Sequence, residues 1–356
     1  MLISRPERDI SFDADYPYFR HIDPRTREGG DNPDQQYAIA KINGNESYRI
    51  WGRLGSATRL DVQVYAGDPY IPGRGGRSAS FINFEDIEFD ADGGFEINLS
   101  PAPAGADRPM NHLENPPDST RVLVRQIFAT WTDDDTGELH IDRVGHEGDR
   151  RPAIDAADMA RRFATAADNL SAHVTLWPSM VNDYYIATKP LNTVSVPIDP
   201  GSRGGVPGRW MANCVFDLQA DEALVITTWP MDTEYQSLQL ANLWFSSFEY
   251  ANAQTSLTSR QSEPNPDGSY TYVVCSRDPG VNNWLDSMGF PRGVVMFRFD
   301  GMAAAEFDPD RRPVAVKVRI DDLDTHIDPG VRRVSPDERR SALAARRRHV
   351  QRRFGI

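Results

Sequence analysis

The chain is short of cysteine and of long apolar runs, and each shortage excludes something. Its two cysteines, Cys214 and Cys275, sit inside apolar, strand-like runs (M-A-N-C-V-F and Y-V-V-C-S). Two cysteines are too few for a disulfide scaffold, and two buried thiols in a reducing compartment are the expectation, with a single disulfide the alternative. No stretch approaches the roughly 18 apolar residues that a membrane-spanning helix requires. The opening M-L-I-S-R-P-E-R-D has no apolar signal core, so a soluble cytoplasmic protein is expected. Positive charge is also scarce: 39 Lys and Arg against 52 Asp and Glu give −13, which argues against general nucleic-acid binding by the body. The standard catalytic signatures are missing. The seven histidines form no H-E-x-x-H and no close pair. There is no Walker loop and no G-x-S-x-G elbow. Gly201-Ser202-Arg203-Gly204-Gly205 does not lie between a strand and a helix, so it is no dinucleotide fingerprint. No metal and no cofactor are expected.

What the chain does have is turn chemistry and alternation. Gly and Pro number 26 each, which suits many short strands joined by turns. Strands are expected at Tyr37–Ile42, Ser47–Leu54, Arg59–Ala66, Ser80–Phe89, Phe95–Leu99 and Arg121–Trp131. In Arg59–Ala66, Leu60, Val62 and Val64 alternate with Asp61, Gln63 and Tyr65. Gly73–Gly76 and Pro101–Pro117 read as loops. Ala153–Val174 is Ala-rich and free of Gly and Pro, with Asp155 placed to cap a helix whose buried face would be Met159, Phe163, Ala166, Ala167 and Leu170. Ser335–Phe354 reads as a second helix, with a Ser335/Glu338 capping box and Pro336 in its first turn.

Four matches recur in order between the two halves. Glu46, Ile50 and Val62-Gln63-Val64 return as Glu222, Ile226 and Leu238-Gln239-Leu240. Asp92-Gly93-x-Phe95-x-Ile97-x-Leu99 returns as Asp267-Gly268-x-Tyr270-x-Tyr272-x-Val274. Asn111-His112-Leu113 returns as Asn283-Trp284-Leu285, and Leu123-Val124-Arg125 as Met296-Phe297-Arg298. A repeat of this length predicts two related β lobes.

Several segments resemble the bacterial "domain of unknown function 1214" family, described together with its "1254" companion. They are G-G-D-N-P-D-x-x-Y (29–37), Y-R-I-x-G-R (48–53), R-V-L-V-R-Q-x-F (121–128), D-E-A-L-V-I (221–226), W-F-x-S-x-E-Y (244–250) and D-P-G-V-x-N-W-L-D (278–286). The resemblance spans roughly 29–320 and implies an all-β body with some helix. It implies no reaction. Two departures stand out: no longer helical N-terminal extension is apparent, and an Arg-rich C-terminal helix is added.

The best candidate site is the loop Asp278–Asp286 running into the strand that carries Arg298. Asn283 and Trp284 offer an amide and an aromatic platform for a polar or sugar-like ligand. Asp286, and after it Asp31 in the Asp31-Asn32-Pro33-Asp34 turn, are the candidate general acid or base. Arg125 and Arg298 interrupt apolar strands at repeat-equivalent positions. An arginine there binds an anion in a cleft shared by the lobes, points outward, or makes a structural ion pair with an Asp or Glu of its own lobe. The last 22 residues carry seven Arg against Asp337 and Glu338, a local +5 that leaves −18 on the rest. Such a helix is either solvated or docks an acidic protein or a second copy.

The expected architecture is mainly β: an arm (1–36), two sandwich or jelly-roll-like lobes (37–131 and 213–320) joined by a segment (132–212) with a helix at 153–174, and a basic helix (335–356). The expected function is a metal-independent hydrolase or lyase acting on a polar, anionic or sugar-like small molecule held between the lobes. The competing expectation is a non-catalytic binding or assembly subunit that docks a partner through its basic helix.

Overall fold

The expected alternation becomes strands almost everywhere it is clean. The computed structural model describes residues 4–68, 76–101, 111–132, 135–203, 206–304 and 306–356, without the side chains of 202 and 203. The chain forms two units. The first comprises Met1–Arg27, Gln35–Phe128 and Asp134–Leu176, the second Glu28–Asp34, Ala129–Asp133 and Trp177–Ile356.

The first unit contains α1 (Ser4–Ser11), β1 (Arg20–Ile22), β2 (Gln35–Lys41), β3 (Tyr48–Arg53), β4 (Arg59–Ala66), β5 (Arg77–Ile82), β6 (Gly94–Ser100), β7 (His112–Glu114), β8 (Ser119–Ile127), β9 (Glu138–Arg143) and most of α2 (Ala156–Met180). One sheet has the order β1-β2-β8-β4-β5, the other β7-β6-β3-β9. Ala38, Val62, Val64, Val122 and Val124 of the first sheet share one buried core with Ile50, Ile97, Leu99, Leu113 and Ile141 of the second. This is a sandwich, in which each strand buries alternate residues between the sheets. The outer face of the five-stranded sheet is covered as well, with Ile39, Tyr65 and Leu123 packed against Phe12 and Ile22. Hence all eight residues of β4 are buried, not only the apolar alternates.

The second unit contains β10 (Arg209–Asp217), β11 (Glu222–Thr228), β12 (Tyr235–Ala241), β13 (Ser256–Thr258), β14 (Tyr270–Cys275), β15 (Trp284–Asp286), β16 (Arg292–Asp300), β17 (Val314–Arg319) and α3 (Pro336–Phe354). Its sheets are β10-β16-β12-β13 and β15-β14-β11-β17. Phe216, Leu238, Leu240 and Phe297 on one side meet Ile226, Tyr272, Val274 and Leu285 on the other. The outer face of the second sheet (Val225, Val273, Val318) is closed by Leu323, Ile327 and Val331. Both cysteines are free and buried, and burial pushes each thiol up to about 12.

The strand orders repeat. Replacing β2–β9 by β10–β17 one for one converts the first unit's sheets into the second's, with β1 as an extra edge. Even the unusual parallel pairs correspond, β6 with β7 and β14 with β15. The sequence matches occupy the same ladder rungs. Val62 faces Val124 as Leu238 faces Phe297, and Leu99 faces Leu113 as Val274 faces Leu285.

Some expectations need correction. β9 completes a sheet of the first unit through its pairing with β3, so that lobe runs past 131. The expected strand Ser80–Phe89 ends at Ile82 and passes into a 3-10 turn, Phe84–Asp86. The expected loop at Pro101–Pro117 contains β7, while residues 102–110, Gly73–Gly75 and Gly204-Gly205 lie outside the described residues. α2 is capped as expected, Asp155 Oδ1 accepting the Asp158 N–H at 2.7 Å. Its buried residues, however, are Ala166, Asn169, His173 and Trp177, with Arg162 half-buried beside them, and Phe163 is exposed. The helix rests on polar neighbours, so the apolar periodicity is out of phase with burial.

Candidate functional site

The Asp278–Asp286 loop proves to be a structural joint of the second unit. Asp278 Oδ1 accepts the Gly280 N–H at 2.8 Å, an Asx turn, where Gly280 takes φ of 73°. Asn283 uses its whole amide. Nδ2 donates to the carbonyls of Glu263 (2.8 Å) and Thr271 (3.2 Å), while Oδ1 accepts from Glu263 N (2.9 Å) and Asn282 Nδ2 (3.0 Å). The Trp284 indole donates to the Cys275 carbonyl at 3.0 Å and is 7% exposed. Asp286 Oδ1 accepts the Met288 N–H at 2.7 Å. Burial, reinforced by the charge of Asp278, raises the Asp286 carboxyl against the help of that N–H. Asn283 and Trp284 thus hold the loop through these bonds.

Arg298 and Asp31 are brought together, on the outer face of the β10-β16-β12-β13 sheet. Arg298 donates to the Gly30 carbonyl at 2.6 Å and to Gln239 Oε1 at 3.3 Å. Gln239 Nε2 donates to the Asp31 carbonyl at 2.7 Å. The Asp31 carboxylate accepts from Ser247 N (2.9 Å) and Ser247 Oγ (2.6 Å). Its neighbour Asp34 is fully buried and accepts the Tyr235 hydroxyl at 2.7 Å. Burial raises its carboxyl, opposed by the Tyr235 hydrogen bond and by the charges of Arg346 and Arg353. Arg125 lies in the first unit, where Nη2 donates to the Tyr65 hydroxyl at 3.1 Å. Both arginines thus hold neutral groups of their own unit, a carbonyl and an amide at Arg298 and a hydroxyl at Arg125, and among the described residues no ion pair with an Asp or Glu involves either.

The basic helix is not simply a solvated rod. Its capping box forms as expected, with Ser335 Oγ accepting from Glu338 N (3.2 Å) and Glu338 Oε2 accepting from Ser335 N (2.7 Å). Arg339, Arg346 and Arg353 are buried, at 7%, 7% and 2% exposure. A spacing of seven places them on one face. Arg339 bonds Asp278 Oδ2 (2.9 Å), Gln254 Oε1 (3.0 Å) and the Val281 carbonyl (2.5 Å), and lies 5.1 Å over the Trp284 ring. Arg346 bonds the Tyr250 (2.5 Å) and Ser256 (3.0 Å) carbonyls and stacks 4.0 Å over Trp131. Arg353 donates to the Pro33 carbonyl and lies 4.9 Å from the same Trp131 ring. Most of these acceptors are neutral carbonyls. Burial therefore lowers the Arg346 guanidinium to about 10, only partly offset by Asp34.

The first unit holds an open cleft that the candidate residues did not include. Its volume is about 260 Å3, and it is lined by Arg5, Arg8 and Asp9 of α1, Lys41 at the end of β2, Asp68 after β4 and Arg121 of β8, with Phe12 and Ile39 as apolar wall. Arg5 pairs with Asp9 within α1 at 2.9 Å and with Asp68. Burial works against its charge, but the two carboxylates outweigh it and the pKa is raised. α1 is seated by α2: Asn169 Nδ2 donates to Asp9 Oδ2 at 2.9 Å, and Arg162 donates to the carbonyls of Ile10 (3.2 Å) and Phe12 (3.0 Å). Arg121 lies 5.0 Å over the Tyr65 ring with Asp68 at 3.7 Å. Four cations against two carboxylates give the lining +2 in a chain of −13. The sequence did carry a signal. Arg5, Arg8 and Asp9 have helical i, i+3, i+4 spacing, inside a stretch whose polarity reads as an arm.

Comparison with known proteins adds the fold and no activity. No family model matches the chain, and no curated protein does. A solved structure of an uncharacterised protein from Burkholderia cenocepacia is similar over 90% of this chain and 86% of its own, with a TM-score of 0.79 and 27% identity. The VPA0106 protein of Vibrio parahaemolyticus shares the fold over 89% of this chain and 96% of its own, with a TM-score of 0.51 and 9% identity. Among the described residues, no helix is long and apolar enough to cross a membrane.

Proposed function

We propose that this chain binds a small polar anion in the first unit's cleft and performs no chemistry on it. The observation that carries the reading is the excess of cations over carboxylates around a cavity of about 260 Å3. Arginine and lysine at a half-enclosed surface suit carboxylate, sulfate or phosphate. Turnover by a hydrolase or lyase needs a positioned acid or base with capacity to spare. The carboxylates that line the cleft, Asp9 and Asp68, are both paired with Arg5, and Asp31 and Asp286 are not part of its lining. Binding is therefore favoured over hydrolysis or elimination. Kinship with the 1214 family, read from the motifs above, and a cytoplasmic setting, read from two free buried thiols, belong to the same proposal. Docking of a partner by α3 narrows to its exposed arginines, such as Arg348, because the other face is buried in its own unit.

The test is a thermal-shift screen of small carboxylates, sulfates, phosphates and sugar acids. It uses wild type and an Arg121→Ala variant. A ligand at 100 times its Kd stabilises by roughly 2.7 kcal/mol. The expected result is a shift given by anions, not by neutral sugars, and lost in the variant. No shift with any anion, or an equal shift in the variant, overturns the reading.

A further inference from the structure

We propose that the ligand of the first unit's cleft is a small hydroxy acid, with Asn169 accepting from its hydroxyl and Lys41 facing its acid group. This rests on the anion-binding reading above and names the ligand class. Asn169 lies on α2, lines the cleft and is 4% exposed. Its Nδ2 donates to Asp9 Oδ2 at 2.9 Å, and the same oxygen accepts from Arg5 Nε at 2.9 Å. A carboxylate held in an ion pair only accepts, which fixes the orientation of the amide. The other prong, Oδ1, is a buried acceptor with no donor among the described residues. Buried acceptors are rarely left so, and the residue's place in the cleft wall lets a ligand supply the donor. A hydroxyl does this without bringing charge toward the Arg5 guanidinium, which shares the Asp9 oxygen with Asn169. Thr165, one turn earlier on the same face of α2, adds an exposed hydroxyl to the lining.

The acid group follows from Lys41. It stands at the last position of β2 and is exposed, and its ammonium makes no hydrogen bond or ion pair among the described residues. Arg5, by contrast, is committed to Asp9 and Asp68. The cleft thus offers one cation and one acceptor that the protein itself does not use. A carboxylate or a phosphate answers the first, and only a donor answers the second. Both heads present the same chemistry, anionic oxygen with a hydroxyl on a nearby carbon. Phe12 and Ile39 give the carbon skeleton an apolar wall. A volume of about 260 Å3 lies below the roughly 300 Å3 at which pockets for drug-sized ligands begin, so the skeleton is short.

The test is titration calorimetry on the full chain at pH 7.5 and low salt. Propionate, lactate and alanine share one skeleton and differ at a single carbon, which carries hydrogen, hydroxyl or ammonium. Lactate is expected to bind roughly tenfold more tightly than propionate, the scale of one hydrogen bond to a buried group, and alanine no more tightly than propionate. Propyl phosphate and glycerol 1-phosphate repeat the comparison with the other head group, and the tighter hydroxylated ligand identifies the source. Lys41→Gln should weaken lactate and propionate by the same factor. Asn169→Leu should abolish their difference and leave propionate unchanged, which also shows that α1 keeps its seat. Should that variant fail to fold, the ligand pair on wild type still decides. Lactate binding no more tightly than propionate overturns this inference and leaves the anion site standing. Alanine binding most tightly overturns the hydroxyl in favour of an amine. A hydroxyl preference that survives Asn169→Leu overturns the role of Asn169, and affinities untouched by Lys41→Gln overturn that of Lys41. If no anion binds, the proposed function itself falls.

Discussion

Replacing Arg346 by alanine should release α3 from the second unit, whereas the same change at Arg347, one residue on, should do almost nothing. Arg346 donates to the Tyr250 and Ser256 carbonyls and to Ser256 Oγ. Alanine takes these donors from two buried carbonyls, at about 1–3 kcal/mol each, and removes a desolvated cation–π contact of about 2 kcal/mol. Against this, the guanidinium no longer has to be dehydrated, the same burial that lowers its pKa. The net expectation is about 3 kcal/mol, the lower end of what breaking a buried charged contact costs. Arg347 donates to Asn252 from an exposed position, so its loss should stay within about 0.5 kcal/mol. Two units need not unfold together, so a global midpoint is the wrong readout. Amide hydrogen exchange across 336–354 reports local opening directly. Exchange there should quicken about a hundredfold in Arg346→Ala and barely change in Arg347→Ala. Equal protection in the two variants would refute the claim that the seven-residue ladder seats the helix.

Three further outcomes follow from named contacts. Ser335→Ala should cost about 1 kcal/mol of helix stability, visible as faster exchange in the first turn of α3. The Ser335 N–H lowers the Glu338 carboxyl below its usual 4.5. The contribution of that half of the box is therefore complete above pH 4.5 and lost as pH falls through the lower folded value, an acid-side decline that Glu338→Gln should remove. Asn283→Asp places an acceptor-only carboxylate against the Glu263 and Thr271 carbonyls at a 2% exposed site. It should destabilise the second unit by more than about 3 kcal/mol, measured by urea denaturation, and a stable variant would restore Asn283 as a ligand-facing residue.

The lobes were legible because alternation is a direct imprint of a pleated, two-faced strand. A repeat of Val62-Gln63-Val64 as Leu238-Gln239-Leu240 preserves which face is buried, and so the topology. α3 was legible at its N-terminus, where a capping box is local chemistry, but its role was not. The 339, 346, 353 spacing sits in plain view among seven arginines. What it packs against comes from Trp131 and Tyr250, about a hundred residues or more away. α2 failed for the opposite reason. Phe163 and Leu170 create an apolar rhythm, yet Phe163 is exposed and the buried side mixes Ala166 and Trp177 with the polar Asn169 and His173, while the half-buried Arg162 bonds carboxylates and carbonyls. Asn283 and Trp284 were singled out for being rich in hydrogen-bonding capacity. Nothing local tells whether such capacity serves a ligand or a neighbouring carbonyl. The cleft was hidden because its cations come from α1, β2 and β8, three elements that no local pattern connects.

The duplicated arginines allow one further argument. Arg125 and Arg298 occupy equivalent rungs, and so do Gln63 and Gln239. In the second unit Arg298 reaches Gln239 directly. In the first, Arg125 donates to the Tyr65 hydroxyl, which itself donates to Gln63 Oε1 at 2.8 Å. The same two positions are linked by different atoms, which is what a shared lobe architecture gives and what a ligand site in only one copy would not. If so, Arg298 and Gln239 should be energetically coupled without any ligand. Arg298→Met leaves the Gly30 carbonyl without a donor and should cost about 2 kcal/mol. A cycle with Gln239→Leu should give an interaction energy of roughly 0.5–3 kcal/mol, as for residues in one hydrogen-bond network. The measurement is urea unfolding of the two single variants and the double variant, followed by a second-unit tryptophan signal. Strict additivity would mean that the pair does no joint structural work, and would return Arg298 to candidacy as an anion-binding residue.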